Sequence, residues 1–244
     1  MVFCIRKAVF TDDHECIKNI GQQIKSLGVP IELGLPFDFY NSFQAIKRWL
    51  PRLAEELRDH SVPCIAIHAP EGPVVTYQPE DFLDWAHDIG DLSNKVGARM
   101  IIFHPQRASM IDDDEALALL SSNIKSLQQE TTATVVLETF SGGERFNYKC
   151  LAAARLPLCL DTSHMGHKDA VTLVEKRHDQ IKHVHLSEAQ GRVTHRPVGK
   201  EGKAVMKRLA ELRWDGTVCI EYLDRYVKEM IEDCKWLTGI YGDI

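Results

Sequence analysis

The stretch LCLDTSHMG, at residues 158–166, decides the fold together with two later stretches, IKHVHLSEAQGRVTHRPVGKEG at 181–202 and VCIEYL at 218–223. The β-type runs in these stretches end on residues that can bind a metal, Asp161, His185 and Glu221. Just upstream, the run TVVLETF at 134–140 carries Glu138 in the same way. Carboxylate and imidazole side chains at the ends of successive strands are typical of the active site of a parallel barrel.

Eight β-type runs alternate with helical segments along the whole chain. We predict strands at Val2–Ile5, Val29–Leu33, Val62–His68, Arg99–His104, Ala133–Glu138, Leu158–Asp161, Ile181–Leu186 and Thr217–Glu221. This alternation predicts an α/β protein with one domain over residues 1–244, a (β/α)8 TIM barrel. The competing architecture is a doubly wound open sheet, but no glycine-rich phosphate loop follows the first run.

Length and composition agree with this fold and narrow the class of protein. The 244 residues approach the ~250 that such a barrel needs. A formal charge of −6 gives no electrostatic argument for nucleic acid, although a basic groove can exist on an acidic protein. The seven cysteines form no CxxC pair and suggest reduced thiols in a cytoplasmic protein. No apolar run reaches the ~18 residues of a membrane helix, and the N-terminus does not resemble a signal peptide.

The last polar residues of six successive strands form a set of three imidazoles and three carboxylates: His68, His104, Glu138, Asp161, His185 and Glu221. A single such residue would be interpreted as structural. Because strand ends converge on one face of a barrel, the six together predict a shared metal pocket. This mixture of ligands suits Zn²⁺, Mn²⁺, Co²⁺ or Fe²⁺ better than Mg²⁺ or Ca²⁺.

Further polar residues lie in the loops that follow the sixth and seventh strands. His164 and His195 are either solvated loop histidines or groups that bind substrate oxygens, transfer protons or hold another metal ion. Arg192, Arg196 and Lys200 are interpreted either as phosphate ligands or as a solvated basic loop. The residues alone leave both alternatives open.

The order of these short motifs resembles the xylose isomerase-like TIM barrel superfamily, over residues 31–222. The motifs are HAP at 68–70, FHP at 103–105, LET at 137–139, DTSH at 161–164, HLS at 185–187, HxxxGxxG from His195 and IE at 220–221. The superfamily includes sugar and sugar-phosphate isomerases and epimerases, and abasic-site nucleases of the endonuclease IV type (AP endonuclease family 2). Glu32 also resembles the acidic residue at the end of the family's second strand.

The resemblance implies two sets of metal ligands. In the epimerase branch, Glu138, Asp161, His185 and Glu221 would hold one ion. In the nuclease branch, His68, His104 and Glu138 would hold a first ion. Glu138 would bridge to a second, held also by Asp161, His185 and Glu221. A third ion would use His164, His195 and an aspartate two residues before His195, where this chain has Val193.

Three functions follow from these expectations. The first is a metal-dependent sugar or sugar-phosphate isomerase or epimerase that transfers protons through a metal-stabilised enediolate, with Glu138, Glu221 and His164 as catalytic residues. Its substrate would be a small polyol or sugar phosphate, bound by Glu32, His68, His104, His164, His195 and Arg196. The second is a metal-dependent phosphodiesterase or abasic-site nuclease, and the third is a non-catalytic barrel. The short loops, and a first strand that does not end in histidine, favour the isomerase or epimerase function.

The expected cofactor is Zn²⁺, Mn²⁺ or Co²⁺, with one ion for the first function and two or three for the second. A nucleic-acid partner is disfavoured and a membrane partner is not expected. Trp49, Trp85 and Trp236 are predicted to pack in the core rather than mark an interface, which leaves an assembly of identical chains open.

Overall fold

A computed structural model describes residues 1–8, 20–35, 50–70, 79–105, 112–141, 145–191 and 193–241. The eight predicted β-type runs are the strands of a closed barrel, in the order β1-β10-β7-β6-β5-β4-β3-β2. Their bounds are β1 Val2–Ala8, β2 Ile31–Gly34, β3 Cys64–His68, β4 Met100–Phe103, β5 Thr134–Glu138, β6 Leu158–Asp161, β7 Ile181–Leu186 and β10 Thr217–Ile220. The predicted parallel barrel is thereby confirmed.

Helices separate the strands and follow the last one. Their bounds are α1 Ile20–Leu27, α2 Leu50–Asp59, α3 Pro79–Val96, α4 Asp113–Glu130, α5 Tyr148–Ala153, α6 Thr162–Met165, α7 His167–Arg177, α8 Lys200–Glu211 and α9 Val227–Tyr241. A short antiparallel hairpin, β8 Glu188–Gln190 with β9 Val193–Arg196, was not predicted. It occupies the loop between β7 and α8.

The chain divides into two compact units, one of residues 1–6 and 137–244 and one of residues 7–136. In the first unit β1 pairs with β10, β10 with β7, β7 with β6, and β6 with the end of β5, all in parallel. In the second unit β3 pairs with both β2 and β4. That residues 1–244 form a single domain remains a prediction.

Burial on both faces explains why the barrel strands are nearly continuous apolar runs rather than alternating ones. Every residue of β2, β3, β4, β6 and β10 is buried. Parallel strands covered by helices have this pattern, which the sequence shows directly. Polar residues inside such runs are therefore exceptions that call for a chemical explanation.

Helices α2 and α4 each bury one face and expose the other. Asp112 caps α4, because its carboxylate accepts hydrogen bonds from the backbone N–H groups of Asp114 and Glu115. Trp236 on α9 is 47% exposed, so the prediction that it packs in the core was wrong. Trp49 and the side chain of Trp85 lie outside the described residues.

No described helix is both long and apolar enough to span a membrane.

Candidate metal centre

Three carboxylates surround one ring nitrogen of His185. Its Nδ1 atom lies 2.9 Å from Oε2 of Glu221, 3.6 Å from Oε2 of Glu138 and 3.7 Å from Oδ2 of Asp161. The His185 and Asp161 side chains have no exposed surface, that of Glu138 is 1% exposed and that of Glu221 is 9% exposed. Four residues at or next to the ends of four strands thus meet with their side chains almost fully buried.

Strand register brings these side chains together. Asp161, the last residue of β6, is paired with His185 on β7, so their side chains point to the same face. Glu221 directly follows β10 and donates its backbone N–H to the carbonyl of Leu186 at 3.3 Å. Glu138 is paired with Cys159, two residues before Asp161 on the same face of β6.

The carboxylate of Asp161 is oriented by the start of α6. Its Oδ1 atom accepts hydrogen bonds from the backbone N–H groups of Ser163 and His164, both at 2.7 Å, and from the Ser163 hydroxyl at 2.9 Å. In the part of the chain that the structure describes, Oδ2 is buried and accepts no hydrogen bond. The cap therefore leaves Oδ2 directed at the shared centre.

The chemistry of these four side chains is compatible with a divalent metal ion. A buried carboxylate oxygen without a hydrogen bond is costly unless a cation satisfies it. One imidazole nitrogen and three carboxylates suit a transition metal such as Zn²⁺, Mn²⁺ or Co²⁺. Glu138, Asp161, His185 and Glu221 would hold the ion, as the sequence predicts for the epimerase branch.

The two loop histidines lie beside this cluster. Nε2 of His164 lies 3.7 Å from Oε1 of Glu138 and 3.9 Å from Oδ2 of Asp161. The His164 and His195 rings are 5.0 Å apart, edge to face. His195 has a left-handed backbone, with φ of 55°, and its Nδ1 atom lies 3.5 Å from the Ser187 hydroxyl. Neither histidine is a remote surface group.

His164, His195 and Asp161 form a second group of residues able to hold a metal ion, with one ligand atom from each within 4.8 Å of the others. Val193, where the nuclease branch has its aspartate, is 42% exposed. Asp161 supplies the carboxylate of the group instead.

Arg6, on β1, is a site residue that the sequence did not reveal. Because β1 and β10 pair in register up to Ile5 and Ile220, the next residues, Arg6 and Glu221, are neighbours. The Arg6 guanidinium donates a hydrogen bond to Oε1 of Glu221, and the two side chains are 8% and 9% exposed. Burial raises the pKa of Glu221, but the charges of Arg6 and His185 outweigh burial and hold it far below its usual range.

A polar layer below His185 was also not predicted. His183 is fully buried, two residues earlier on the same face of β7, with its Nδ1 atom 2.6 Å from the Thr217 hydroxyl. The rings of His183 and His185 meet edge to face at 5.2 Å. A second histidine inside a predicted strand, two residues before His185, is the sequence signal that could have indicated this contact.

The remaining predicted site residues occupy other positions. Glu32, His68 and His104 belong to the second unit and are buried, and the two histidine rings lie 4.8 Å apart, edge to face.

Arg196 donates a hydrogen bond to the side-chain carbonyl of Gln190 in the hairpin. Lys200, the first residue of α8, is exposed. Arg192 lies outside the described residues.

A family model described as the xylose isomerase-like TIM barrel matches residues 22–240. No curated protein matches this chain in sequence.

Solved structures resemble the chain over nearly its whole length at low sequence identity. An AP endonuclease of family 2 from Brucella melitensis is 15% identical with a TM-score of 0.70, covering 98% of this chain and 99% of that chain. The 3-keto-D-glucoside 4-epimerase of E. coli is 14% identical with a TM-score of 0.66, at 98% and 99%. Endonuclease IV from Thermus thermophilus is 14% identical with a TM-score of 0.64, at 98% and 100%. At these identities the likeness shows the fold alone.

Proposed function

Because the chain belongs to the xylose isomerase-like TIM barrel family, we propose that it is a divalent-metal-dependent isomerase or epimerase of a sugar or sugar phosphate. The observation that carries the proposal is the convergence of Glu138, Asp161 and Glu221 on Nδ1 of His185. An epimerase is among the solved structures that share this fold, which is compatible with the proposal. One ion of Zn²⁺, Mn²⁺ or Co²⁺ per chain is the expected cofactor.

The proposed reaction moves a proton at the carbon next to a carbonyl. A bound divalent ion would supply Lewis-acid polarisation of that carbonyl. Glu138 and Glu221 flank His185, and we assign one to remove the proton from the substrate carbon and the other to return a proton. The electron pair of the broken C–H bond passes to the carbonyl oxygen, which gives an enediolate.

His164 is assigned to stabilise this developing charge. Its ring is 25% exposed and lies close to Glu138, so it can reach both the cluster and a substrate that enters from solvent. A hydrogen bond from its Nε2 atom to the charged oxygen would strengthen as the proton leaves. Protonation at the neighbouring carbon gives isomerisation, and protonation on the opposite face gives epimerisation. Glu32, His68, His104, His195 and Arg196 remain predicted substrate-binding residues.

Exchange of substrate hydrogen with solvent tests this proposal. The protein is loaded with Mn²⁺ or Co²⁺, incubated in deuterated water with a panel of free and phosphorylated ketoses, and the sugars are analysed by NMR. We expect deuterium at the carbon next to the carbonyl in at least one sugar, and none with Glu138→Gln. An absence of exchange across the panel would remove the proposal.

Metal-dependent phosphodiester hydrolysis is the second candidate, because His164, His195 and Asp161 form a further group of possible ligands. Two or three neighbouring ions would activate water and stabilise the leaving oxygen. An oligonucleotide with one abasic site, incubated with the Zn²⁺-loaded or Mn²⁺-loaded protein, tests it. Cleavage at the abasic site would favour this candidate, and an intact strand would exclude abasic-site cleavage.

We further propose a cytoplasmic location. The six cysteines within the described residues are all free thiols, as expected in a reducing compartment. Small polyols or sugar phosphates are the proposed partners, and an assembly of identical chains stays open.

A further inference from the structure

We propose that Arg6 balances the charge of the metal centre, lowering its affinity for the ion while raising its affinity for an anionic substrate oxygen. This inference rests on the proposed function, because it assumes that Glu138, Asp161, His185 and Glu221 hold a divalent ion. It assigns Arg6 a positioning role that acts through Glu221, which is the ligand the guanidinium contacts.

Arg6 lies where its positive charge acts directly on the four predicted metal ligands. Its side chain is 8% exposed and follows the last registered pair of β1 and β10, so solvent screens it weakly. A guanidinium remains protonated at all accessible pH values. The centre therefore contains a permanent positive charge next to one of its carboxylates.

Arg6 changes the net charge of the centre when a divalent ion is bound. Three carboxylates, one neutral imidazole and a divalent ion would together carry a net charge of −1, and adding the charge of Arg6 to these groups gives zero. Removal of a proton from a substrate carbon by one of these carboxylates moves one negative charge from that carboxylate to the substrate oxygens, so the sum does not change in that step. Binding of a substrate oxygen that is already anionic does add a charge, and without Arg6 it would add it to a buried centre that is already negative, which costs more than in a neutral one.

The same charge opposes the binding of the ion. Arg6 occupies Oε1 of Glu221 and repels a second cation on the other side of the carboxylate. Its replacement by a neutral residue should therefore strengthen metal binding and weaken the binding of an anion. A residue that only held Glu221 in place would weaken metal binding when replaced, so the two roles predict opposite results.

The test compares Arg6→Gln, which retains a hydrogen-bond donor without charge, with Arg6→Lys, which retains the charge without the planar guanidinium. Arg6→Met is a second neutral variant in case Arg6→Gln does not fold. Arg208→Gln is the matched control, because Arg208 is a half-buried arginine on α8 that contacts Glu175 and Glu211. Calorimetry of the metal-free proteins measures Mn²⁺ affinity. Water-proton relaxation of the Mn²⁺-loaded proteins then measures the binding of glycolate and of ethylene glycol, which differ in charge.

For Arg6→Gln we expect roughly tenfold tighter Mn²⁺ binding and a roughly tenfold lower preference for glycolate over ethylene glycol. Arg6→Lys and Arg208→Gln should stay close to the wild-type protein in both measurements. Unchanged affinities in Arg6→Gln would overturn the inference, and so would weaker Mn²⁺ binding in Arg6→Gln, whatever the affinity of Arg6→Lys.

The failure of this inference is separable from that of the proposed function. A wild-type protein that binds no Mn²⁺ would overturn both. A protein that binds Mn²⁺ and exchanges no sugar hydrogen would remove the isomerase proposal, while the Mn²⁺ and glycolate affinities would still decide the role of Arg6.

Discussion

Nδ1 of His185 lies 2.9 Å from Oε2 of Glu221, and neither side chain is more than 9% exposed. His185 lies on β7, and Glu221 directly follows β10, which pairs with β7. Glu138 and Asp161 approach the same nitrogen to within 3.6 and 3.7 Å. Three carboxylates this close would repel one another unless cations balance them. The arrangement supports the proposal that these residues hold a divalent ion, with Arg6 as an additional fixed charge.

Ser163→Ala is expected to weaken Mn²⁺ binding by about tenfold, because the Ser163 hydroxyl orients Asp161 through a 2.9 Å hydrogen bond. Ser121→Ala is the matched control, since Ser121 bonds to the carbonyl of Leu117 on α4. Calorimetric titration of both variants checks the prediction. Equal affinities in the two variants would contradict it.

His164→Gln distinguishes the two candidate functions. If His164 only stabilises the enediolate, we expect hydrogen exchange to slow by ~10²-fold or more, with an unchanged number of bound ions. If His164 is a ligand, as in the hydrolase candidate, the variant should lose an ion. His87→Gln, at a histidine whose side chain is 70% exposed, is the control for both measurements.

Glu188→Ala is expected to lower the free energy of unfolding by about 1 kcal/mol, because Glu188 caps a helix that has no capping side chain of its own. Its carboxylate accepts hydrogen bonds from the backbone N–H groups of Glu201 and Gly202 at 2.9 and 3.1 Å. Urea titration measures the change, with Glu211→Ala at the other end of α8 as control. A loss no larger than in the control would refute the capping role.

Cys234 should make the protein less stable at alkaline pH. Burial raises the pKa of its thiol from 9.0 to about 12. Between these values the unfolded chain has released the proton and the folded chain keeps it, so stability falls as pH rises. Cys234→Ala should reduce this slope by up to about 1.4 kcal/mol per pH unit.

The control for Cys234 is Cys150→Ala, at a half-buried thiol. Urea titrations between about pH 8 and pH 11 provide the comparison. Parallel pH profiles for the wild-type protein and Cys234→Ala would show that the thiol does not contribute.

The barrel could be predicted because its strands are buried on both faces. For β6 and β7 the predicted bounds, Leu158–Asp161 and Ile181–Leu186, match those of the structure, since β6 is apolar up to Asp161, half of β7 is apolar, and each has a residue able to bind a metal at or near its end. The order of the strands places their ends together, so Glu138, Asp161, His185 and Glu221 could be proposed as a cluster before any distance was known. Their roles as ligands stay predictions.

Arg6 could not be predicted in the same way. An arginine near the end of a strand is common, and its partner Glu221 is 215 residues away in the sequence. Only the register of β1 with β10 places the two side by side. The hairpin of β8 and β9 was missed for a different reason, because its strands are short and lack a buried apolar run to identify them.

The number of metal ions per chain tests the central claim most directly. The wild-type protein, His185→Ala and His87→Ala are loaded with Mn²⁺, dialysed and analysed by mass spectrometry for metal content. The isomerase proposal predicts one ion per chain for the wild-type protein and for His87→Ala, and none for His185→Ala. A wild-type protein that retains no ion, or a His185→Ala variant that retains the full complement, would contradict it.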